Sequence, residues 1–212
     1  MNKKIHQMNT WSSDFGKDYT DRNPHNPEEM NKLYEALYGV TRRELNVDFL
    51  GSMDKDIRIL EVGANVGTQL QALQSLGFTN LYGVELQAYA VEEAKKMTRN
   101  INIIQASAFD LPFKDEYFDM VYTSGVLIHI NPDDIDKAFS EMNRVSKRYI
   151  WGFEYFDETY QAVPYRGQDN LLWKADFGGE IITRHPAFSC IQKRDVPYIN
   201  GRNVDQMYLL EK

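Results

Sequence analysis

The stretch ILEVGANVGTQL, Ile59 to Leu70, decides the fold. A short apolar run carrying an acid at Glu61 meets Gly63, and Gly67 precedes residues at helical spacing. Strand, tight turn and helix follow from that order. Glycine permits the turn and removes the side chain that would hold a ligand away from the backbone. Asn65 stands where a nucleotide-binding loop usually has another glycine. Asparagine is among the few residues that tolerate left-handed torsions, so the loop keeps its shape, and its amide is a candidate to touch the ligand.

Outward from this loop, short apolar runs alternate with helix-length amphipathic segments. The runs are IRILEV, NLYGVEL, INIIQA, FDMVYTS, RYIWGFEY, FSCIQKRDV and DQMYLLE. Helices are expected over Thr68–Leu76, Ala88–Thr98, Asp133–Val145 and roughly Lys174–Arg184, and upstream from Pro27, capped by Asn26, to Asn46. The last two runs are joined only by PYINGRN, a hairpin connection. The pattern predicts one α/β domain over 1–212, doubly wound and Rossmann-like, with a mainly parallel seven-stranded sheet and a C-terminal antiparallel hairpin. Residues 1–46 would supply an N-terminal lid and helix, and 153–180 a substrate-covering insertion. In such sheets ligands sit at the carboxyl ends of the strands, which puts Glu61, Glu85, Ser107 and Ser124 on one rim.

Composition narrows the class. The chain of 212 residues is 42% hydrophobic and 26% charged, with a net charge of −7. That charge argues against gripping a phosphate backbone. No apolar run reaches the ~18 residues of a membrane helix, and MNKKIHQMNTW lacks the apolar stretch of a signal peptide. Cys190 is the single cysteine, so no intrachain disulfide forms and a cytoplasmic setting is expected, with the thiol as a small core side chain. Asp133 and Asp134 read as the first turn of a helix capped by Asn131 rather than as metal ligands, and no metal is expected.

Glu85 ends the strand after the glycine loop. A carboxylate there accepts hydrogen bonds from both ribose hydroxyls, and glycine loop plus strand-end acid signal an adenosine-containing ligand. The nicotinamide fingerprint fits poorly, because Gly63, Asn65 and Thr68 occupy its three glycine positions.

LEVGANVG, GVEL and ASAFDLPFKDEYFDMVYTSGVLIHI resemble the motif series of class I S-adenosylmethionine-dependent methyltransferases, over about Ile57 to Tyr155. The resemblance implies S-adenosylmethionine as cofactor. Glu61, Gly63 and Gly67 would line its methionine and ribose part, and Leu86 would pack on the adenine. Ser107 and Ala108 would flank the adenine edge, and Ser124 with Gly125 would close the pocket under the sulfonium. Ser107 departs from the aspartate common at this position in the family, and its hydroxyl would bond the adenine without a charge.

For a hydroxyl acceptor, a general base helps, and His129, beside the expected methyl site, titrates in a suitable range. Packing, or capping of the following turn, is its other role. FGKDYTDRN suits a lid, with Tyr19, Arg22 and Asn23 candidates to touch cofactor or substrate. The segment Phe153–Gly179 mixes Tyr155, Tyr160, Tyr165 and Trp173 with Arg166 and Lys174, a lining for a polar anionic or sugar-like molecule.

FGKDYTDRN, HINPDD, EYF and VPYRG…LLWKADFG together are similar to the small methyltransferases associated with pseudaminic acid biosynthesis. That similarity implies O-methylation of an acidic sugar, with Arg166 or Lys174 pairing with its carboxylate and His129 or Glu154 accepting the hydroxyl proton. Methylation of another small metabolite, a nicotinamide-dependent oxidoreductase and a non-catalytic cofactor-binding subunit are the alternatives. A small-molecule substrate is expected, without nucleic acid or membrane, and monomer or dimer stays open.

Overall fold

The computed structural model describes residues 6–212. In chain order its strands are β1 Arg58–Val62, β2 Asn80–Glu85, β3 Asn102–Gln105, β4 Phe118–Ser124, β5 Ser146–Tyr155, β6 Gln161–Ala162, β7 Trp173–Lys174, β8 Ser189–Pro197 and β9 Val204–Glu211. Seven of them form one sheet in the order β3-β2-β1-β4-β5-β9-β8, while β6 and β7 pair separately. The first five strands of this order run parallel, and β9 and β8 are antiparallel. This is the doubly wound Rossmann-like sheet with its closing hairpin.

Side-chain alternation sends each strand to two cores. Leu60 and Val62 pack with Phe139 and Met142 of α7 (Ile135–Val145) and Phe177 and Ile181 of α8 (Phe177–Arg184). Ile59 faces the other side. There lie Leu45 and Phe49 of α4 (Arg42–Leu50), Leu70 and Leu73 of α5 (Thr68–Gln74) and Val91 of α6 (Ala88–Met97). Glu61 shares the parity of Ile59 and so emerges at the rim on the α4–α5 side.

The N-terminal region departs from the single expected helix. It folds as α1 (His6–Trp11), α2 (Asp14–Arg22) and α3 (Pro27–Tyr38) before α4. Asn26 does cap α3, accepting from the Glu29 N–H, with Pro27 in the first turn. The chain then breaks at Gly39, which takes φ 70, and restarts through a capping box between Thr41 and Glu44. Apolar spacing carries across that break, which is why periodicity alone joined the two helices.

Four smaller expectations change. Helix α8 begins at Phe177, because Trp173 and Lys174 pair with β6 instead of starting a helix. Asn131 does not cap α7; its side chain accepts from the Asp133 N–H in the preceding turn, and Asp134 is the cap. Cys190 is exposed, not core, since β8 is the sheet's edge strand and pairs only with β9. The helix expected over Thr68–Leu76 ends at Gln74, with Ser75 as its C-cap.

Gly152 marks the tightest packing in the sheet. A Cβ there would meet Cζ of Tyr208 at 2.1 Å, and Tyr208 itself is buried. Gly152→Ala is therefore expected to destabilise the protein by about 3 kcal/mol, lowering Tm by roughly 6–12 °C. Calorimetry checks this, and a fall of less than ~2 °C would show that the Tyr208 ring moves aside freely.

Candidate active site

The carboxyl ends of β1, β2, β4 and β5 open into a cavity of about 500 Å³. Its floor is the glycine loop. Gly63 takes φ 77 and Asn65 takes φ 47, so the asparagine does occupy the left-handed region. Both backbone N–H groups of Gly63 and Ala64 donate to the Val84 carbonyl, tying the loop to β2. Gly67 does not line the cavity. It caps α5 at φ 79, where a Cβ would strike Ile103 at 2.7 Å, so its role is to let the helix approach β3.

Glu85 stands across from the loop. Its carboxylate accepts from the Asn65 N–H at 2.9 Å and the Gln87 N–H at 2.8 Å, one per oxygen. Remaining lone pairs are available to a pair of hydroxyls. Burial raises its pKa, opposed by these backbone donors. Leu86, Ser107 and Ala108 line the same end, and Ser107 Oγ accepts from the Phe109 N–H, leaving its own proton to give.

Glu61 is 2% exposed and its Oε2 has no hydrogen-bond partner. Burial pushes it up to about 8, against the pull of Tyr122 and Arg42. Beside it, Ser124 Oγ accepts from Arg42 Nη1 at 3.2 Å, and Gln69 lies within 3.5 Å of the same oxygen. Gly125 is fixed by donating to the Phe153 carbonyl at 2.9 Å. Unpaired acceptors on Asn65 and Gln69 also remain around this wall. Such orphaned acceptors suit the ammonium and the ribose hydroxyls of an adenosyl amino acid.

His129 lies in a 3-10 turn after β4, buried, with Nδ1–H donating to the Leu171 carbonyl at 2.7 Å. That bond leaves the lone pair on Nε2. Burial lowers its pKa to about 4, so it is neutral at physiological pH. Rings of Trp11 and Tyr165 stand 4.5 and 5.3 Å from it. Glu154, pushed up to about 7 by burial, lines the cavity but holds the Val126 N–H at 3.0 Å. Its carboxylate shapes the loop carrying His129 rather than standing free to take a proton.

The roof comes from α1 and α2. Gln87 donates to the Trp11 and Ser13 carbonyls, Tyr89 donates to Asp21, and Thr68 donates to the Pro24 carbonyl. Tyr19 and Asn23 face the cavity, with Tyr19 pushed up to about 12 by burial. Arg22 does not; it is exposed at the end of α2.

Of the expected substrate residues, Asn23, Tyr155 and Tyr165 line the cavity. Arg166, Trp173 and Lys174 do not. Arg166 is exposed in a turn, Trp173 is buried away from the cavity, and Lys174 donates to Asn203. Among the described residues no lysine or arginine lines this space, whereas Glu61, Glu85, Glu154 and Asp205 do. Arg42, Trp11 and Asp205 escaped the sequence reading. Asp205 is the second residue of β9, and because β9 runs antiparallel its start reaches the rim where the other strands end. The hairpin legible in the sequence carried that signal.

No helix of the described residues is long and apolar enough to cross a membrane, and no group of three or more potential metal ligands occurs among them.

Residues 60–149 match the family model described as a methyltransferase domain. An uncharacterized protein of Haemophilus influenzae is 33% identical over 103 residues, 46% of this chain and 41% of that protein. A demethylmenaquinone methyltransferase of Renibacterium salmoninarum is 32% identical over 111 residues, 51% of this chain and 45% of the enzyme. The chain thus matches less than half the length of these curated relatives. A Pyrococcus horikoshii protein superposes with TM-score 0.70 at 16% identity, over 94% of this chain and 98% of that one. A Burkholderia thailandensis 1,6-didemethyltoxoflavin N1-methyltransferase, with bound 1,6-didemethyltoxoflavin and S-adenosylhomocysteine, gives TM-score 0.64 at 15% identity, over 96% of this chain and 84% of that one. The matched segment thus runs from the first strand of the parallel sheet into β5, and the solved structures share the whole fold.

Glu61 gives a pH test. Its folded pKa lies above the unfolded value, so its stabilising contribution is complete below about pH 4.5 and is lost as pH rises through about 8. Ligand-free protein is expected to lose Tm between those limits, and Glu61→Gln to lose several degrees less. Equal slopes in both proteins would mean that Glu61 is ionised and paired throughout.

Proposed function

We propose that the whole chain acts as an S-adenosylmethionine-dependent methyltransferase on a small polar acceptor. The observation that carries the reading is the pairing of the glycine loop with Glu85, whose oxygens are each held by one backbone donor and left open toward the cavity. The named methyltransferases among the relatives and neighbours support it.

Bound there, S-adenosylmethionine would supply an electrophilic methyl group on a sulfonium. Glu85 would fix the ribose, Glu61 and Gln69 the methionine end, and Leu86, Ser107 and Ala108 the adenine. The chain's remaining contribution is alignment and dryness: Trp11 and Tyr19 roof the site, while Glu154 holds the loop after β4. His129, neutral with a free Nε2 lone pair, is placed to accept a proton from an acceptor hydroxyl.

An acidic sugar, the acceptor implied by the narrower resemblance, loses its proposed anchors because Arg166 and Lys174 stand outside the cavity. With four carboxylates and no lining cation, the space favours an acceptor hydroxyl or amine without a free carboxylate beside it.

Thermal unfolding tests the cofactor. S-adenosylhomocysteine near a hundredfold over its dissociation constant is expected to add ~2.7 kcal/mol and raise Tm by roughly 5–10 °C, with no shift from NADH. A shift with NADH alone would make the protein a dinucleotide enzyme. Glu85→Ala should weaken S-adenosylhomocysteine by about a hundredfold, since two charge-assisted bonds disappear. Unchanged affinity would remove the ribose assignment. His129→Ala should slow methylation of a hydroxyl acceptor by ~10²–10⁴ while leaving cofactor affinity alone. A rate within twofold of wild type would make His129 a packing residue.

A further inference from the structure

The end of the cavity farthest from Glu85 is built for different chemistry. Across the sheet the order β2-β1-β4-β5-β9 spaces the rim residues by about 4.8 Å per strand, so Asp205 stands about 19 Å from Glu85. A cofactor held at β2 and β1 leaves this end to the acceptor. Asp205 is 3% exposed, and its Oδ1 has no hydrogen-bond partner. Its other oxygen accepts from the Tyr38 hydroxyl.

Three tyrosines wall the place. Tyr198, from the β8–β9 loop, meets the Tyr38 ring at 4.8 Å and the Tyr155 ring at 5.8 Å, and donates to the Tyr155 hydroxyl at 2.9 Å. All three line the cavity with Asp205. The nearby cations are engaged behind this aromatic layer. Lys174 sits 5.4 Å from the Tyr155 ring centre with its ammonium on Asn203, and Arg42 is bound by Asn46, Tyr34 and Ser124.

A buried carboxylate oxygen without a partner is costly, and aromatic faces attract cations. Lys174 lies over one face of Tyr155 and its field reaches Asp205, but its ammonium is held by Asn203 outside the cavity, so the unpartnered oxygen and the rings that line the cavity together select for a positive ligand. We infer that this end of the cavity is the acceptor site and binds a small molecule through an amine, its ammonium held by Asp205 within the rings of Tyr38, Tyr155 and Tyr198. The inference rests on the methyltransferase reading and adds the chemical class of its acceptor.

The test uses the full chain saturated with S-adenosylhomocysteine, near pH 8, where Asp205, raised to about 6 by burial, is ionised. Benzylamine, benzyl alcohol and benzoate serve as probes of matched size, followed by ligand-observed NMR titration. Benzylamine is expected to bind about tenfold or more tighter than either of the others. Asp205→Asn should abolish that preference while S-adenosylhomocysteine affinity stays within twofold. Should Asp205→Asn fail to fold, Tyr198→Leu should weaken benzylamine severalfold and Tyr198→Phe should retain it. Equal binding of the alcohol or the acid, or a preference untouched by both Asp205→Asn and Tyr198→Leu, overturns the amine site alone. Failure of the wild type to bind S-adenosylhomocysteine overturns the methyltransferase reading, and this site with it.

Discussion

A guanidinium sealed beneath the sheet's rim, Arg42, is the charge around which the site is arranged. It is fully buried, its Nε donates to Asn46 and its Nη1 to Tyr34 and Ser124, while rings of Trp151 and Phe153 lie 5.1 and 4.9 Å away. Its field reaches Glu61 and Asp205 and pulls both downward against their burial. Without it, Glu61 would face the cavity with no compensating charge and Asp205 with Lys174 alone, an arrangement that favours protonation of both acids. The capping box at Thr41 fixes where α4 starts and hence where Arg42 enters.

The sheet converts this single constraint into a gradient of function across the rim. Parallel strands deliver Glu61, Glu85 and Ser124 to one edge, and the reversed β9 delivers Asp205 to the same edge. Side-chain parity then sorts them by face. By alternation Asp205 shares the face of Trp151 and Met207, over α4, whereas Glu154 turns to the opposite face, toward Tyr208. The two acids adjoining on β5 and β9 consequently do separate work: one organises the loop after β4, the other faces ligand space.

Regular alternation of apolar runs and amphipathic segments made the sheet, its parallel core and its hairpin legible, because burial on both faces imposes that pattern on the chain. The glycine loop and Glu85 were legible for a related reason: backbone geometry there restricts which residues fit. The acceptor end was not. Arg166 and Lys174 looked like anchors by charge type alone, but position depends on the β6–β7 ribbon, a pairing of two residues with two residues that leaves almost no trace in sequence. Arg42 hid inside TRRE, a charged run within the single helix expected from Pro27 to Asn46, where paired arginines read as a solvated face. Charge type says what a side chain is able to hold; only tertiary contacts decide which way it faces.

The family match ends at residue 149, partway along β5, and every residue of β8 and β9 lies beyond it. The rim is consequently assembled from three stretches of one polypeptide: the matched segment with the glycine loop and Glu85, the preceding helices with Trp11, Tyr19 and Tyr38, and the following hairpin with Tyr198 and Asp205. A hairpin at the edge of a sheet tolerates exchange of its loop and its first residues without disturbing the strands beneath. Likeness between chains is therefore read most easily in the glycine loop and the parallel strands, and least in the hairpin that completes the rim.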